Sequence, residues 1–178
     1  VTEGTVTRSL KGIRAQASVA VRRGRETLAE SLGEIQFTET GVSGPAVFEI
    51  SRAAATGGDG LTIVLNLLPQ LTEGNVLDML RARREAFPER PAEELLTGVL
   101  HNRLGKTLVR AAGIGGDAPL SSLEDDALAR LAVCISRFTL ELRGTQGMDN
   151  AQVTAGGITT SEFDPNTLES RLHPGLYA

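Results

Sequence analysis

The sequence predicts an α+β fold, a small antiparallel β-barrel or flattened sandwich that carries an inserted helical subdomain. Two observations lead to this prediction. Apolar and polar side chains alternate with a period of two near both ends, within residues 1–68 and again within residues 137–155. Between them, residues 69–136 repeat apolar side chains at helical spacing. Residues 156–178 contain several turn signals and are expected to form a separate return segment.

The first strands follow from this alternation. Residues Ile13–Val21 place every second side chain on an apolar face, which is typical of a half-buried antiparallel strand. The Arg23-Gly24 turn then leads to a hairpin partner at Glu26–Ser31. Gly33 is expected to separate this partner from another short strand that leads into Phe37.

The helical subdomain is expected between a buried strand at Leu61–Leu68 and an alternating strand that starts at Phe138, both in the same sheet. Four helices are predicted there: one capped by Thr72 and stopped by Pro88, one started by Pro91, one at Lys106–Ala112, and one opened by a capping box at Ser122–Asp125. The apolar stripe of the last helix consists of Leu128, Leu131, Ala132 and Ile135.

The stretch Phe37–Ser51 predicts a strand, a tight turn and the start of a helix. Ser43 or Gly44 can cap the first helical turn, and Pro45 suits its opening position because proline has no N–H group to leave unpaired. The N-terminus of such a helix offers free N–H groups and a partial positive charge. We therefore predict a substrate-binding surface formed by Gly41, Ser43, Gly44 and Pro45. The alternative interpretation is a capped helix that only packs.

A second candidate surface follows the predicted strand Asn150–Ala155. Gly156 and Gly157 end this strand, and glycine at such a place permits the close approach of another backbone or of a ring. Thr154 beside them has a hydroxyl group that can bond a ligand. The alternative interpretation is a bulge or a tight bend.

Several long phrases carry a family resemblance: FTETGVSGPA from Phe37, a Gly-Thr-Gln-Gly turn, VTAGG from Val153, and FDPNTLESRLHPGLY from Phe163. In this order they resemble the BaiN/YhiN-like NAD(P)/FAD-dependent oxidoreductases, also called aminoacetone-oxidase-family FAD-binding enzymes. The resemblance covers the region that this family inserts into its dinucleotide-binding fold. The chain begins at Val1 without an initiator methionine, and we expect it to be a piece of a longer polypeptide.

The resemblance implies a function in two parts. The longer protein would bind FAD, with NAD(P)H as a candidate electron donor, and this chain would be the insert that shapes the pocket for a small-molecule substrate. Its principal partner would be the FAD-binding domain of the same polypeptide. Thr154, Ala155, Gly156 and Gly157 would lie near the flavin ring, and the isolated chain would neither bind FAD nor turn over substrate.

Composition excludes other classes of function. The net charge is −4 and aromatic residues make up 3% of the chain, which disfavours nucleic-acid binding. No apolar run has the length of a membrane span, and a single cysteine is compatible with a cytoplasmic location. Cys134 is interpreted as a packing thiol rather than a nucleophile. The sequence predicts no catalytic residue and no metal site in this chain.

The alternative function is a non-enzymatic module that binds protein or DNA through the helical subdomain. Its basis is a modest basic patch on a helix-turn-helix arrangement, to which Arg81, Arg83 and Arg84 would add. The patch consists of His101, Arg103, Lys106 and Arg110. Acidic residues are interspersed with these cations, so a solvated face of mixed charge is the competing interpretation.

Overall fold

An antiparallel sheet of five strands is the centre of the fold in the computed structural model, which describes residues 5–147 and 156–178. The chain divides into two compact units, residues 1–145 and 146–178. In the first unit the strands are β1 (Arg14–Arg23), β2 (Glu26–Phe37), β3 (Val42–Ser43), β4 (Leu61–Asn66) and β5 (Phe138–Glu141). The helices are α1 (Thr5–Ser9), α2 (Pro45–Thr56), α3 (Glu73–Ala86), α4 (Asn102–Ala111) and α5 (Asp125–Ser136).

The sheet has the strand order β3-β2-β1-β4-β5, and each neighbouring pair is antiparallel. It curls into a half-barrel, which confirms the predicted α+β class. Helices α3, α4 and α5 lie between β4 and β5 in the chain, and β5 pairs with β4 so that Phe138 lies opposite Leu65. The predicted strand Asn150–Ala155 lies outside the residues that the structure describes.

Strand β2 is longer than the sequence predicts. Gly33 does not separate two strands, because β2 runs from Glu26 to Phe37 without a break and Gly33 pairs with Ala17 of β1. The physical reason is the pairing with β1, which continues on both sides of Gly33 and outweighs the low strand preference of glycine. A Cβ on Gly33 would lie 3.5 Å from Cβ of Ala46 in α2, which is an ordinary contact distance.

Strand β4 is shorter than predicted, since it ends at Asn66 rather than at Leu68. The N–H group of Leu67 donates to the carbonyl of Ile135 in α5, and the N–H group of Leu68 donates to the side chain of Asn66. Leu67 and Leu68 are nevertheless buried. The apolar run is thus a core segment whose last two residues leave the sheet to join the helices.

The helix predicted from Pro91 is wrong, because only a short 3-10 turn forms there, at Ala92–Glu94. Arg83 of α3 explains the difference. Its Nε donates to the carbonyl of Leu95 at 2.7 Å, and its Nη2 donates to the carbonyl of Thr97 at 2.8 Å. A continuing helix would have used these carbonyl groups itself. Leu95 and Leu96 are buried all the same.

The other helix starts show two further differences. Helix α4 begins at Asn102, before the predicted Lys106, and Nδ1 of His101 caps it by accepting from the N–H group of Arg103 at 3.2 Å. The predicted capping box at Ser122 is wrong, because the Ser122 hydroxyl donates to the carbonyl of Pro119. Helix α5 starts at Asp125, after Glu124. The predicted cap Thr72 and the buried stripe of α5 are confirmed.

One apolar core joins the inner face of the sheet to the helices. Val19, Ile35 and Phe37 contribute fully buried side chains from the sheet, while Leu80 and Leu108 contribute them from α3 and α4. The second unit has a different character. Its described residues form a 3-10 turn at Thr160–Glu162 and two isolated bridges, Phe163 with Ser170 and Glu169 with Tyr177.

Candidate functional site

The predicted substrate-binding residues lie at one corner of the sheet, where β2, β3 and α2 meet. The N–H group of Thr38 donates to the carbonyl of Gly41 at 2.8 Å and closes the turn after β2. Ser43 then pairs with Gln36 of β2. This turn is held further by an ion pair of 2.9 Å between Lys11 and Glu39, whose hydrogen bond lowers the pKa of the Glu39 carboxyl group.

Gly44 is the residue that joins β3 directly to α2. Its backbone has φ 109° and ψ 171°, a conformation that is essentially restricted to glycine. A Cβ atom on Gly44 would lie 2.7 Å from the carbonyl oxygen of Glu34, so glycine is also required by the close approach to β2. The Gly44 carbonyl accepts from the N–H groups of Val47 and Phe48, each at 3.0 Å, in the first helical turn.

The predicted start of α2 is confirmed, with Gly44 at the cap position and Pro45 in the first turn. Gly41 is buried, Ser43 and Gly44 are half-buried, and Pro45 is exposed. A ligand at this corner would therefore meet Pro45 and the edges of Ser43 and Gly44. The helix N-terminus adds partial positive charge at this corner. Pro45 has no N–H group and those of Val47 and Phe48 donate to Gly44, so an anionic group would meet the helix dipole rather than a set of free donors. The use of this corner by a substrate stays a prediction.

Of the four predicted cofactor-binding residues, Gly156 and Gly157 are described, whereas Thr154 and Ala155 lie outside the described residues. Both glycines are exposed, with φ values of 131° and 144°. No heavy atom lies within 4 Å of the position where either would carry a Cβ. Contact of this glycine pair with a flavin stays a prediction. The pair belongs to the unit of residues 146–178, and the Gly44 corner belongs to the other unit.

The cations of the helical region are mostly engaged in ion pairs. Asp125, at the start of α5, accepts Arg81 of α3 at 2.7 Å and Arg84 at 2.9 Å. Hydrogen bonds from Arg81 and Arg84 hold the pKa of the Asp125 carboxyl group below its ordinary value. Asp125 therefore fastens the beginning of α5 to α3. Its position in the first turn also places a negative charge at the helix N-terminus, where the helix dipole favours it.

The predicted basic patch is compensated in part. Glu93 accepts Lys106 at 2.8 Å and lies 3.7 Å from Arg110, and the Lys106 ammonium group lowers the pKa of Glu93. Nη2 of Arg103 donates to the carbonyl of Lys11 at 2.6 Å, which is a neutral partner. This surface is the mixed face that the sequence offered as the competing interpretation, with one carboxylate that offsets part of the positive charge.

Sequence reasoning missed an open apolar groove between α3, α5 and the end of α4, with a volume of about 610 Å³. Small residues make room for it, including Gly74, Ala111 and Ala129. Half-buried Cys134 also lines it, and burial raises the pKa of this thiol, which favours the protonated form. No sequence signal could have identified the groove, because it arises from three helices that meet only in the fold.

In residues 5–147 and 156–178, no three side chains of histidine, cysteine, aspartate or glutamate come together as a metal site would require. No helix in the same ranges combines the length and the apolar character needed to span a bilayer.

The fold and the sequence phrases agree with a family comparison. Residues 2–153 match the family model described as "HI0933-like protein barrel and H2TH domain". The chain therefore belongs to this family, the BaiN/YhiN-like group that the sequence phrases resemble.

The individual relatives include a reductase and two ribosomal RNA dihydrouridine synthases. A 3-dehydro-bile acid delta(4,6)-reductase of Clostridium scindens is 37% identical over 93% of this chain. Ribosomal RNA dihydrouridine synthases of Escherichia coli and Haemophilus influenzae are 33% and 27% identical over 79% and 81% of it. The chain spans 41% of the length of the reductase and 34% of each synthase, so these relatives are much longer.

Proposed function

We propose that this chain is the pocket-shaping insert of a FAD-dependent oxidoreductase. The observation that carries the proposal is the family match over residues 2–153, on a half-barrel whose described core residues run from Leu10 to Leu140. The names of the relatives support the reaction class, since one is a reductase and two make dihydrouridine, a reduced form of uridine. Flavin, when bound to the longer protein, would supply the hydride chemistry.

The Gly44 corner is the proposed contact for substrate. Gly41, Ser43, Gly44 and Pro45 would present the N-terminus of α2 to a carbonyl or carboxylate group of the substrate. The backbone there is tightly determined, because Gly44 packs against Glu34 without room for a side chain. A rigid wall of this kind orients a bound molecule and excludes water from one side of it.

The unit of residues 146–178 is the proposed contact with the FAD-binding domain of the same polypeptide. In its described part only Ser170 is buried, and several large apolar side chains are between 50% and 62% exposed. These side chains are Ile158, Leu168, Leu172, Leu176 and Tyr177. Apolar surface on so short a segment is typical of a segment that docks on another surface. Thr154, Ala155, Gly156 and Gly157 would then approach the flavin.

The test compares the intact gene product with the 178-residue chain. We expect the intact protein to copurify with flavin and the isolated chain to lack it, as measured by visible absorbance after extensive dialysis. In the intact protein, Ser43→Ala should raise KM for the substrate more than it lowers kcat. Ser51→Ala, an exposed change on the neighbouring helix α2, is the matched control and should alter neither. NAD(P)H is the candidate donor, and bleaching of the flavin under anaerobic conditions would test it.

A second candidate function is contact with RNA, favoured by the two relatives named as ribosomal RNA dihydrouridine synthases. Under this proposal the chain would position an RNA substrate for the same oxidoreductase. The helical region is a weak choice for such contact, because Asp125 and Glu93 compensate its main cations. A filter-binding measurement with the isolated chain at low salt tests the idea directly, and retention of RNA is the expected result.

A further inference from the structure

The tip of the β1–β2 hairpin carries three arginines within four positions, Arg22, Arg23 and Arg25, around the turn residue Gly24. Gly24 has a φ of 57°, which lets the chain reverse tightly at this point. Strands β1 and β2 are paired up to Arg23 and Glu26, so the turn directly follows the last residue pair of the hairpin. The three side chains are thereby presented together at one end of the sheet.

These arginines differ from the ion-paired cations of the helical region in what they contact, and resemble Arg83 and Arg103, which also donate to neutral groups. Nε of Arg22 donates to the hydroxyl group of Thr27 at 3.1 Å, and Nη2 of Arg23 donates to the carbonyl of Gly57. Arg25 is exposed and makes no side-chain hydrogen bond within the described residues. In that same part of the chain, none of the three forms an ion pair with a carboxylate, whereas Arg81, Arg84 and Lys106 all do.

The surroundings leave this positive charge only partly offset. Glu26 lies opposite Arg23 in the ladder, and Asp59 belongs to the loop that Arg23 contacts through Gly57. Both acids are exposed. Three guanidinium groups against two carboxylates give a tip with net positive charge on a chain whose total charge is −4. Guanidinium groups held by neutral partners keep donor N–H groups available for phosphate oxygens.

We propose that this hairpin tip binds the phosphate backbone of RNA. The inference rests on the second candidate function and assigns the contact to Arg22, Arg23 and Arg25 instead of the helical region. RNA is favoured over a lipid surface by the side chains of the tip. From Arg22 to Thr27 the sequence is RRGRET, which has no aliphatic or aromatic side chain to enter a bilayer.

The experiment measures binding of a fluorescein-labelled oligouridylate by anisotropy, over a series of salt concentrations. The test variant changes Arg22, Arg23 and Arg25 to Gln together. A matched control changes Arg90, Arg103 and Arg110 to Gln, which removes the same charge from the helical region. Loss of three phosphate contacts should weaken binding at least about tenfold near 0.1 M salt. It should also flatten the slope of log K against log salt by about 2.

Two more variants distinguish the loss of RNA contacts from a loss of the fold. Arg25→Gln alone removes a side chain without described contacts, and it should weaken binding about threefold to fivefold with an unchanged circular dichroism spectrum. Changing all three residues to Lys retains the charge and should restore most of the affinity. These results together would support the proposal.

The contrary outcomes are distinct. If the unmodified chain binds no RNA at low salt, both the RNA candidate function and this inference fail. If it binds RNA and the Arg22, Arg23 and Arg25 variant binds equally well, only the hairpin assignment is overturned. Equal weakening in the matched control would overturn it too, since overall charge would then explain the effect. Stronger binding to phosphatidylserine vesicles than to oligouridylate would show that the tip is a lipid contact.

Discussion

Gly44→Ala is the change that most severely tests the geometry of the candidate substrate corner. Gly44 connects β3 to α2 with φ 109° and ψ 171°, so alanine must adopt a conformation that side chains avoid. The added methyl group would also lie 2.7 Å from the Glu34 carbonyl oxygen and 3.1 Å from Cα of Ile35. Both obstacles are backbone atoms of strand β2, which is held by its pairing with β1 and cannot move aside as a flexible side chain can.

The expected magnitude is the sum of two effects. Backbone strain of this type costs about 1–3 kcal/mol. Forcing a methyl group into a filled space costs a further ~1–3 kcal/mol. We therefore expect the free energy of unfolding to fall by about 4 kcal/mol, which is a large part of the roughly 5–15 kcal/mol available to an ordinary domain. The first turn of α2 should also lose helicity.

Urea denaturation followed by circular dichroism measures this change, and two glycines provide controls. Gly58→Ala has a positive φ of 75° but open space around the new methyl group, so it should cost only about 1–2 kcal/mol. Gly74→Ala, inside α3, should be neutral or slightly stabilising. A loss at Gly44 no larger than the loss at Gly58 would refute the close approach of α2 to β2.

Three further predictions concern the core, the ion pairs and the thiol. Leu108→Ala removes a fully buried side chain and should cost about 3 kcal/mol in thermal or urea unfolding, whereas Leu32→Ala, at a side chain 70% exposed, should cost less than about 0.5 kcal/mol; equal costs would contradict the assigned core. Hydrogen bonds from Arg81 and Arg84 lower the pKa of Asp125. The ionised Asp125 carboxylate therefore contributes its full stabilisation above the ordinary pKa of 3.8, and this stabilisation is lost as the pH falls through the lower pKa of the folded state. Asp125→Asn should therefore lower stability at neutral pH and make it less dependent on pH below about 4, and an unchanged acid profile would contradict the ion pair. Burial raises the pKa of Cys134, so a thiol reagent should label it more slowly than free cysteine at neutral pH, and labelling at the free rate would show an open site.

Local patterns predicted most of the sheet and the ends of several helices. The alternation after Phe138 was sufficient to predict that β5 joins the sheet, because the burial of every second side chain is a local property. Gly44 and Pro45 marked the start of α2 for a similar reason, since cap chemistry depends on neighbouring residues. Thr72 was predictable on the same grounds.

Two of the errors have a common physical cause, which is a contact between residues distant in the chain. Gly33 was interpreted as a break because glycine has a low preference for strands, yet pairing with Ala17 of β1 keeps it inside β2. The absence of a helix after Pro91 follows from hydrogen bonds made by Arg83. The third error is local: Ser122 has the spacing of a capping box, yet a preceding 3-10 turn takes its hydroxyl group.

The candidate sites were predictable only in part. The sequence identified the Gly44 corner because a strand, a turn and a helix start follow one another there. The sequence analysis did not identify the hairpin of Arg22 and Arg23 as a binding surface. Arginines close together in the sequence indicate such a surface only when the structure shows which groups they contact. The compensation of Arg81 by Asp125 was likewise invisible, because the two residues come together through the packing of α3 and α5.

The most direct test of the proposed function is a flavin-binding measurement on two proteins, the isolated 178-residue chain and the intact gene product. Each is unfolded and refolded, then titrated with FAD while flavin fluorescence is recorded. We expect the isolated chain to refold cooperatively and leave the fluorescence unchanged, and the intact protein to bind FAD at saturable sites. Saturable FAD binding by the isolated chain would contradict the assignment of this region as an insert that borders the cofactor without holding it.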